Sequence, residues 1–172
     1  MSARWSGLLA VFLAALALRG AFGLTRGPDL VWPDAQEYDA IARRLVAEGV
    51  YREDSGRQAS RAPGYPVFLA ACRAAGLGDP RAVYLLHALA GAAACVLAAQ
   101  LGRRLFDERT GLLAGWIAAL DPLAVYFSGT LLAETLFTLG LTGYLLLWLK
   151  LIEAGDFRRG WGWAVAAGAL AG

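Results

Sequence analysis

The chain is 172 residues long, 58% hydrophobic and only 17% charged, with a mean hydropathy of +0.49. Soluble domains carry about half apolar and about one quarter charged residues, so this balance excludes an ordinary soluble domain and points to a membrane class. A formal net charge of +2 excludes the dense basic surface that a nucleic-acid partner needs, and the two cysteines, Cys72 and Cys95, stand in no metal-ligand spacing and read as small apolar fillers.

Residues 5–24 form the first apolar run, preceded by Arg4 and interrupted only by Arg19. Its length suits a membrane span. A signal peptide is the rival reading, because Ala15, Leu16 and Ala17 make an A-x-A-like site after a short apolar core. Either outcome delivers residue 25 onward to the outer side. Residues 25–81 then form a polar loop. Within it, residues 33–48 predict an amphipathic helix, with Tyr38, Ile41, Leu45 and Val46 at helical spacing and Gly49 as its stop. Residues 51–60 have no periodicity and read as loop. The apolar run at residues 63–77 carries Arg73 in its middle and is short for a span, so it predicts an interfacial or re-entrant helix.

Three further spans are expected at about residues 82–102, 111–128 and 131–151. The second carries Asp121 and Pro122 toward its far end. A fifth run starts at Trp161 and reaches Gly172 before it is long enough to cross a bilayer, so the sequence predicts a truncated chain, the N-terminal part of one transmembrane domain. Gly140, Gly143 and the many alanines predict close helix packing. The expected fold class is all-α: a multi-pass transmembrane helical bundle whose first outer loop holds short amphipathic helices.

Lysine and arginine positions orient this bundle. If residues 63–77 do not span, the cytoplasmic side holds Arg4, then Arg103, Arg104 and Arg109, then Lys150, Arg158 and Arg159. Residues 122–130 carry no Lys or Arg, as an outside turn should. The expected location is the cell inner (plasma) membrane, with residues 25–80 and 122–130 sharing the outer, periplasmic face.

Two acidic residues could carry chemistry on that face. Glu134 is placed about one turn into the last complete span, where an ionisable group is costly and reads as functional by default; a carboxylate close enough to water to stay hydrated is the bland alternative. Asp34 opens the amphipathic helix, and Asp34 with Glu37 also fits a capping box. Tyr38 lies one turn from Asp34 on the same face. Arg43, Arg44 and Arg61 supply cations in the same loop, which suits a lipid-linked phosphate because arginine binds phosphate oxygens bidentately. Simple surface pairing of Asp39 with Arg43 is the competing use of such charges. His87, alone in its span, reads as a packing residue or helix-contact donor.

Three stretches together resemble the GT-C glycosyltransferases, in particular the bacterial relatives of protein O-mannosyltransferases and of the aminoarabinose transferases acting on lipid A. They are DAQEYDAIARRL at residues 34–45 with GVY at 49–51, RAPGYPVFLA at 61–70, and Asp121-Pro122 followed by SGTLLAETLF at 128–137. The resemblance implies inverting transfer of a sugar from a polyprenyl-phosphate donor to a lipid, glycan or protein acceptor, with membrane lipids around it and no nucleic acid. It places Asp34 on the loop aspartate that acts as general base or orients the acceptor, and Glu134 on the second acidic position. Arg61 falls where a cation faces the donor phosphate, and Tyr38, Tyr65 and Glu37 complete the candidate substrate-binding set. No cofactor is certain; relatives with diphosphate donors tend to need a divalent metal, which leaves that ion open. Many relatives carry Asp-Glu at the loop motif, whereas Ala35 follows Asp34 here. A transporter subunit, with Glu134 and His87 lining a pathway, and a non-catalytic scaffold are the alternatives. No internal repeat supports the first of these.

Overall fold

The computed structural model describes residues 3–27, 30–52 and 61–153. The expected span at 161–172 and most of the loop at 51–60 lie outside the described residues. Every element within them is an α-helix: α1 Ala3–Thr25, α2 Pro33–Glu48, α3 Gly64–Ala74, α4 Pro80–Leu105, α5 Glu108–Leu120, α6 Pro122–Ser128 and α7 Glu134–Glu153. By length and composition, α1, α4 and α7 can each cross a membrane, and α5 with α6 makes a fourth if that bent pair is one span. The protein is a helical membrane bundle.

Helix α4 is the centre, packed on α1, α5 and α7. At 1.5 Å per residue its 26 residues reach roughly 39 Å, enough to cross a hydrocarbon core of about 30 Å. Asp79 caps its start by accepting from the Arg81 N–H at 2.8 Å, and Pro80 takes the first turn, where its missing donor costs nothing. Val11, Ala15, Ala92, Cys95 and Ala119 form the buried seam among α1, α4 and α5. The close approach of α4 and α5 needs glycine at Gly111, where a Cβ would fall 2.5 Å from the Ala99 carbonyl and 2.6 Å from the Arg103 nitrogen. Gly140 does not serve this purpose, since a Cβ there meets nothing within 4 Å. Cys72 and Cys95 are free and buried, as small apolar residues would be.

Residues 111–128, expected as one span, are broken. Helices α5 and α6 meet at 55° across Asp121 and Pro122. Proline has no N–H to continue the α5 ladder, and the Asp121 carboxylate caps the new helix by accepting from the Leu123 N–H at 3.0 Å. Thirteen residues of α5 rise only about 20 Å, so α5 alone falls short of a bilayer.

Helices α2 and α3 pack on each other and cap one end of the bundle. Gly49 ends α2 at a φ of +69°, a left-handed conformation that glycine adopts without steric cost, and its N–H reaches the Leu45 carbonyl at 3.2 Å. With 11 residues, α3 spans about 17 Å and cannot cross. Ala35, Tyr65, Leu69, Val83 and Tyr84 bury together with Leu131 and Leu132. The α6–α7 turn therefore sits at the same end as the first polar loop, and Trp32 confirms it by donating to the Tyr126 hydroxyl at 3.1 Å. Of the residues expected on the apolar stripe of α2, Val46 instead faces outward, 49% exposed, and Asp39 takes a buried place.

Candidate active site

Asp34 stands in the first turn of α2, but it caps nothing. The residue ahead of the helix is Trp32, no side chain closes the first turn, and the expected capping box of Asp34 with Glu37 is absent. Both carboxylates turn to Arg61. Its Nη2 donates to Asp34 Oδ1 at 2.6 Å and lies 2.7 Å from Glu37 Oε2, while its Nε donates to Glu37 Oε2 at 2.8 Å. A helix places positions 34, 37 and 38 on one face, and the Arg61 guanidinium lies over the Tyr38 ring, 5.7 Å from its centroid. Tyr51 holds the returning backbone by donating its hydroxyl to the Arg61 carbonyl at 2.8 Å. Hydrogen bonding to Glu37, reinforced by Asp34, raises the Arg61 guanidinium still further above its ordinary value.

The other loop cations do not join this group. Arg43 pairs with Asp39 at 2.5 Å, and Arg44 donates weakly to the Arg52 carbonyl at 3.4 Å. Asp39, only 4% exposed, also takes Arg73 from α3, so an ion pair locks the two cap helices together. The sequence signals were a lone arginine in an apolar run and an aspartate read as the surface partner of Arg43, a pairing that does form. Neither reveals the pairing across 34 residues.

Tyr38 connects the loop to the bundle. Its ring meets Tyr65 edge-on at 5.1 Å, and the Tyr65 hydroxyl lies 3.3 Å from His87 Nε2. His87 is fully buried, and its Nδ1 has no hydrogen-bond partner among the described residues. It packs as expected, yet only one of its two ring nitrogens is satisfied. Burial pushes the Tyr38 phenol above its usual range; Arg61 opposes the rise, while the charges of Asp34, Glu134 and Glu37 add to it. Burial raises Tyr65 as well, with Tyr84 and Glu134 contributing. Asp34 and Glu134 thus both contribute to the upward shift of the Tyr38 phenol.

Glu134 is not one turn inside a helix. It is the first residue of α7, since Leu131 and Leu132 leave the helix to pack in the cap, and it is exposed. The cost of a carboxylate deep in a span does not arise, and a negative charge in the first turn also suits the helix dipole. Glu134 rims a cavity of about 340 Å³ with Arg19, Asp121, Thr135, Thr138 and Thr142. Arg19 escaped the sequence reading, which saw only an interruption in an apolar run.

Among the described residues, no three His, Cys, Asp or Glu side chains gather to hold a metal ion. Asp34 and Glu37 are both held by Arg61.

The helical membrane bundle thus carries a group of Asp34, Glu37 and Arg61 at one end, near the start of α7. The chain belongs to the dolichyl-phosphate-mannose-protein mannosyltransferase family, whose model matches residues 60–172. It is a glycosyltransferase-family protein of the GT-C type. The match takes in Arg61, Tyr65 and Glu134, while Asp34, Glu37 and Tyr38 precede it. Comparison with curated proteins and with solved structures returns no match.

Proposed function

We propose that this chain forms part of an inverting glycosyltransferase that moves a sugar from a polyprenyl-phosphate donor to a hydroxyl of a lipid, glycan or protein acceptor at the outer face of the plasma membrane. The observation that carries this reading is the Arg61 guanidinium shared by Asp34 and Glu37 over Tyr38, at the bundle end where Glu134 begins α7. In the proposed step the acceptor oxygen attacks the anomeric carbon. The bond from that carbon to the phosphate oxygen breaks, and its electron pair leaves with the polyprenyl phosphate. The acceptor proton passes to Asp34.

Arg61 is suited to the leaving phosphate because none of its hydrogen bonds to the described residues uses Nη1. Asp34 and Glu37 together outweigh its single positive charge. A phosphate at Nη1 would compete with the two carboxylates for the guanidinium, and release of Asp34 as the donor binds would couple binding to the readiness of the base. Glu134, across Tyr38, would orient the sugar or acceptor hydroxyls. The same groups would be idle in a scaffold.

The test is transfer from polyprenyl-phosphate mannose by the full chain in membranes, with Asp34→Asn and Glu134→Gln alongside. Loss of turnover in Asp34→Asn supports the role assigned to it; wild-type turnover in both variants removes both residues from the chemistry. Orientation is checked with an impermeant maleimide on Val31→Cys and Phe106→Cys, both strongly exposed at opposite ends. Outer labelling of residue 31 alone is expected, and labelling of both from one side defeats the topology.

A further inference from the structure

The bend between α5 and α6 strips backbone carbonyls, those of Ala118 and Ala119 among them, of their helical partners. The Ala118 carbonyl would accept from residue 122, which is a proline without an N–H. The Ala119 carbonyl would accept from Leu123, whose N–H goes instead to the Asp121 carboxylate. Ala119 is buried, and a buried carbonyl needs a partner within the protein.

One side chain satisfies both. Arg19, from the middle of the last part of α1 and only 2% exposed, donates from Nη2 to the Ala118 carbonyl at 2.8 Å and from Nη1 to the Ala119 carbonyl at 2.9 Å. The planar fork of the guanidinium matches two adjacent carbonyls in a way that a single ammonium does not. Room for it comes from Gly91 of α4, where a Cβ would lie 2.8 Å from Arg19 Nε and 2.9 Å from its Cδ. The same guanidinium walls the cavity rimmed by Asp121 and Glu134. A buried charge in a span needs partners of this kind.

We propose that Arg19 is a positioning residue that staples the broken span. By holding the bend it sets the direction in which α6 and the turn at 129–133 deliver Glu134 to the site, and this catalytic consequence rests on the transferase reading above. Glu134 opens α7 immediately after that turn, whose Leu131 and Leu132 are buried in the cap, so a change in the bend moves it relative to Tyr38.

The experiment measures the bend and the catalysis separately, in the full chain. Spin labels at Leu113→Cys on α5 and Phe137→Cys on α7, both exposed, report the geometry once Cys72 and Cys95 are exchanged for alanine. The expected result is a shifted or broadened distance distribution in Arg19→Met and in Gly91→Ala, which crowds the guanidinium without removing it. Transfer from polyprenyl-phosphate mannose is expected to lose about tenfold in kcat in Arg19→Met with donor KM within about twofold. Arg19→Lys, which keeps the charge and loses the fork, should fall between. An unchanged distribution in both variants overturns the staple whatever turnover does. A raised donor KM with intact kcat also overturns it, because Arg19 would then bind donor. If the labels move while the full-length protein transfers no sugar, the staple stands and the transferase reading falls. Should Arg19→Met fold too poorly to measure, Gly91→Ala decides both readouts.

Discussion

Arg61 in the polar cap and Arg19 in the helical bundle carry the same guanidinium into opposite surroundings. Arg61 is part-exposed and meets two carboxylates that are themselves about half-exposed. Arg19 is buried, and its described hydrogen bonds go to two neutral carbonyls. Around Arg61, water screens the charges, so its ion pairs contribute little to stability and remain free to exchange partners with a ligand. In the bundle Arg19 is buried, and its donors are met by backbone carbonyls of the fold. The cap is where chemistry can happen; the bundle decides where the cap's partners stand.

The sharpest way to break this comparison is to strain the packing of the bundle itself. Gly111→Val drives a side chain into the α4 backbone, with atoms at 2.5 and 2.6 Å of its Cβ, and should cost about 3 kcal/mol or more of stability; a thermal melt in detergent that matches the parent would show that α4 and α5 need no close approach. Next in size, Asp34→Asn in the cap should lower turnover by about a hundredfold, roughly 2.7 kcal/mol in the barrier, and leave the melt unchanged. Initial rates beside the same melt separate the two regions, because a parallel fall in both would make Asp34 structural.

Asp39→Ala lies between these extremes, since Asp39 is in the cap yet buried. It leaves Arg73 without its partner on α2, and about 2 kcal/mol is expected, less than for a fully buried pair because Arg73 stays part-exposed. Denaturant or thermal midpoints read it directly. The Tyr38 phenol gives a smaller, pH-dependent signal. Its folded value is raised above the ordinary 10, chiefly by burial. Stability from this group is therefore complete below pH 10 and declines as pH rises past it toward the folded value. Phenolate absorbance should show that Tyr38→Phe removes a transition lying above that of an unburied tyrosine, and its appearance at or below pH 10 would contradict the buried setting. The smallest effect is at the rim, where Arg52→Ala breaks an exposed pair with Glu48 at 3.3 Å and should stay within about 0.5 kcal/mol.

Much of this was legible in the residues alone. Hydropathy runs place α1, α4 and α7, and the short apolar run with its arginine identifies α3 as a helix that cannot cross. The period of α2 and its glycine stop are read correctly, although Val46 faces outward and Asp39 inward. The group of Asp34, Glu37, Tyr38 and Arg61 was named as a set, but its geometry was not. A capping box was an equally good reading of Asp34 and Glu37, because capping is a local pattern and the arginine that competes for them returns from 24 and 27 residues away. Glu134 was placed inside a helix because Leu131, Leu132 and Ala133 look like the start of one. Their burial against Tyr65 and Val83 takes them out of it.

By itself, then, the amino-acid sequence determined a helical membrane chain, the approximate helices and the polarity that separates cap from bundle. Those features follow from hydropathy and from neighbours three or four residues apart, which are properties of a short window. Tertiary structure alone decided which distant charges meet, that α5 and α6 part at 55°, and that Arg19 fills the gap from about 100 residues away. The reason is that an unsatisfied carbonyl or an unpaired arginine has no preferred partner along the chain. It takes whichever one the packed helices bring within about 3 Å.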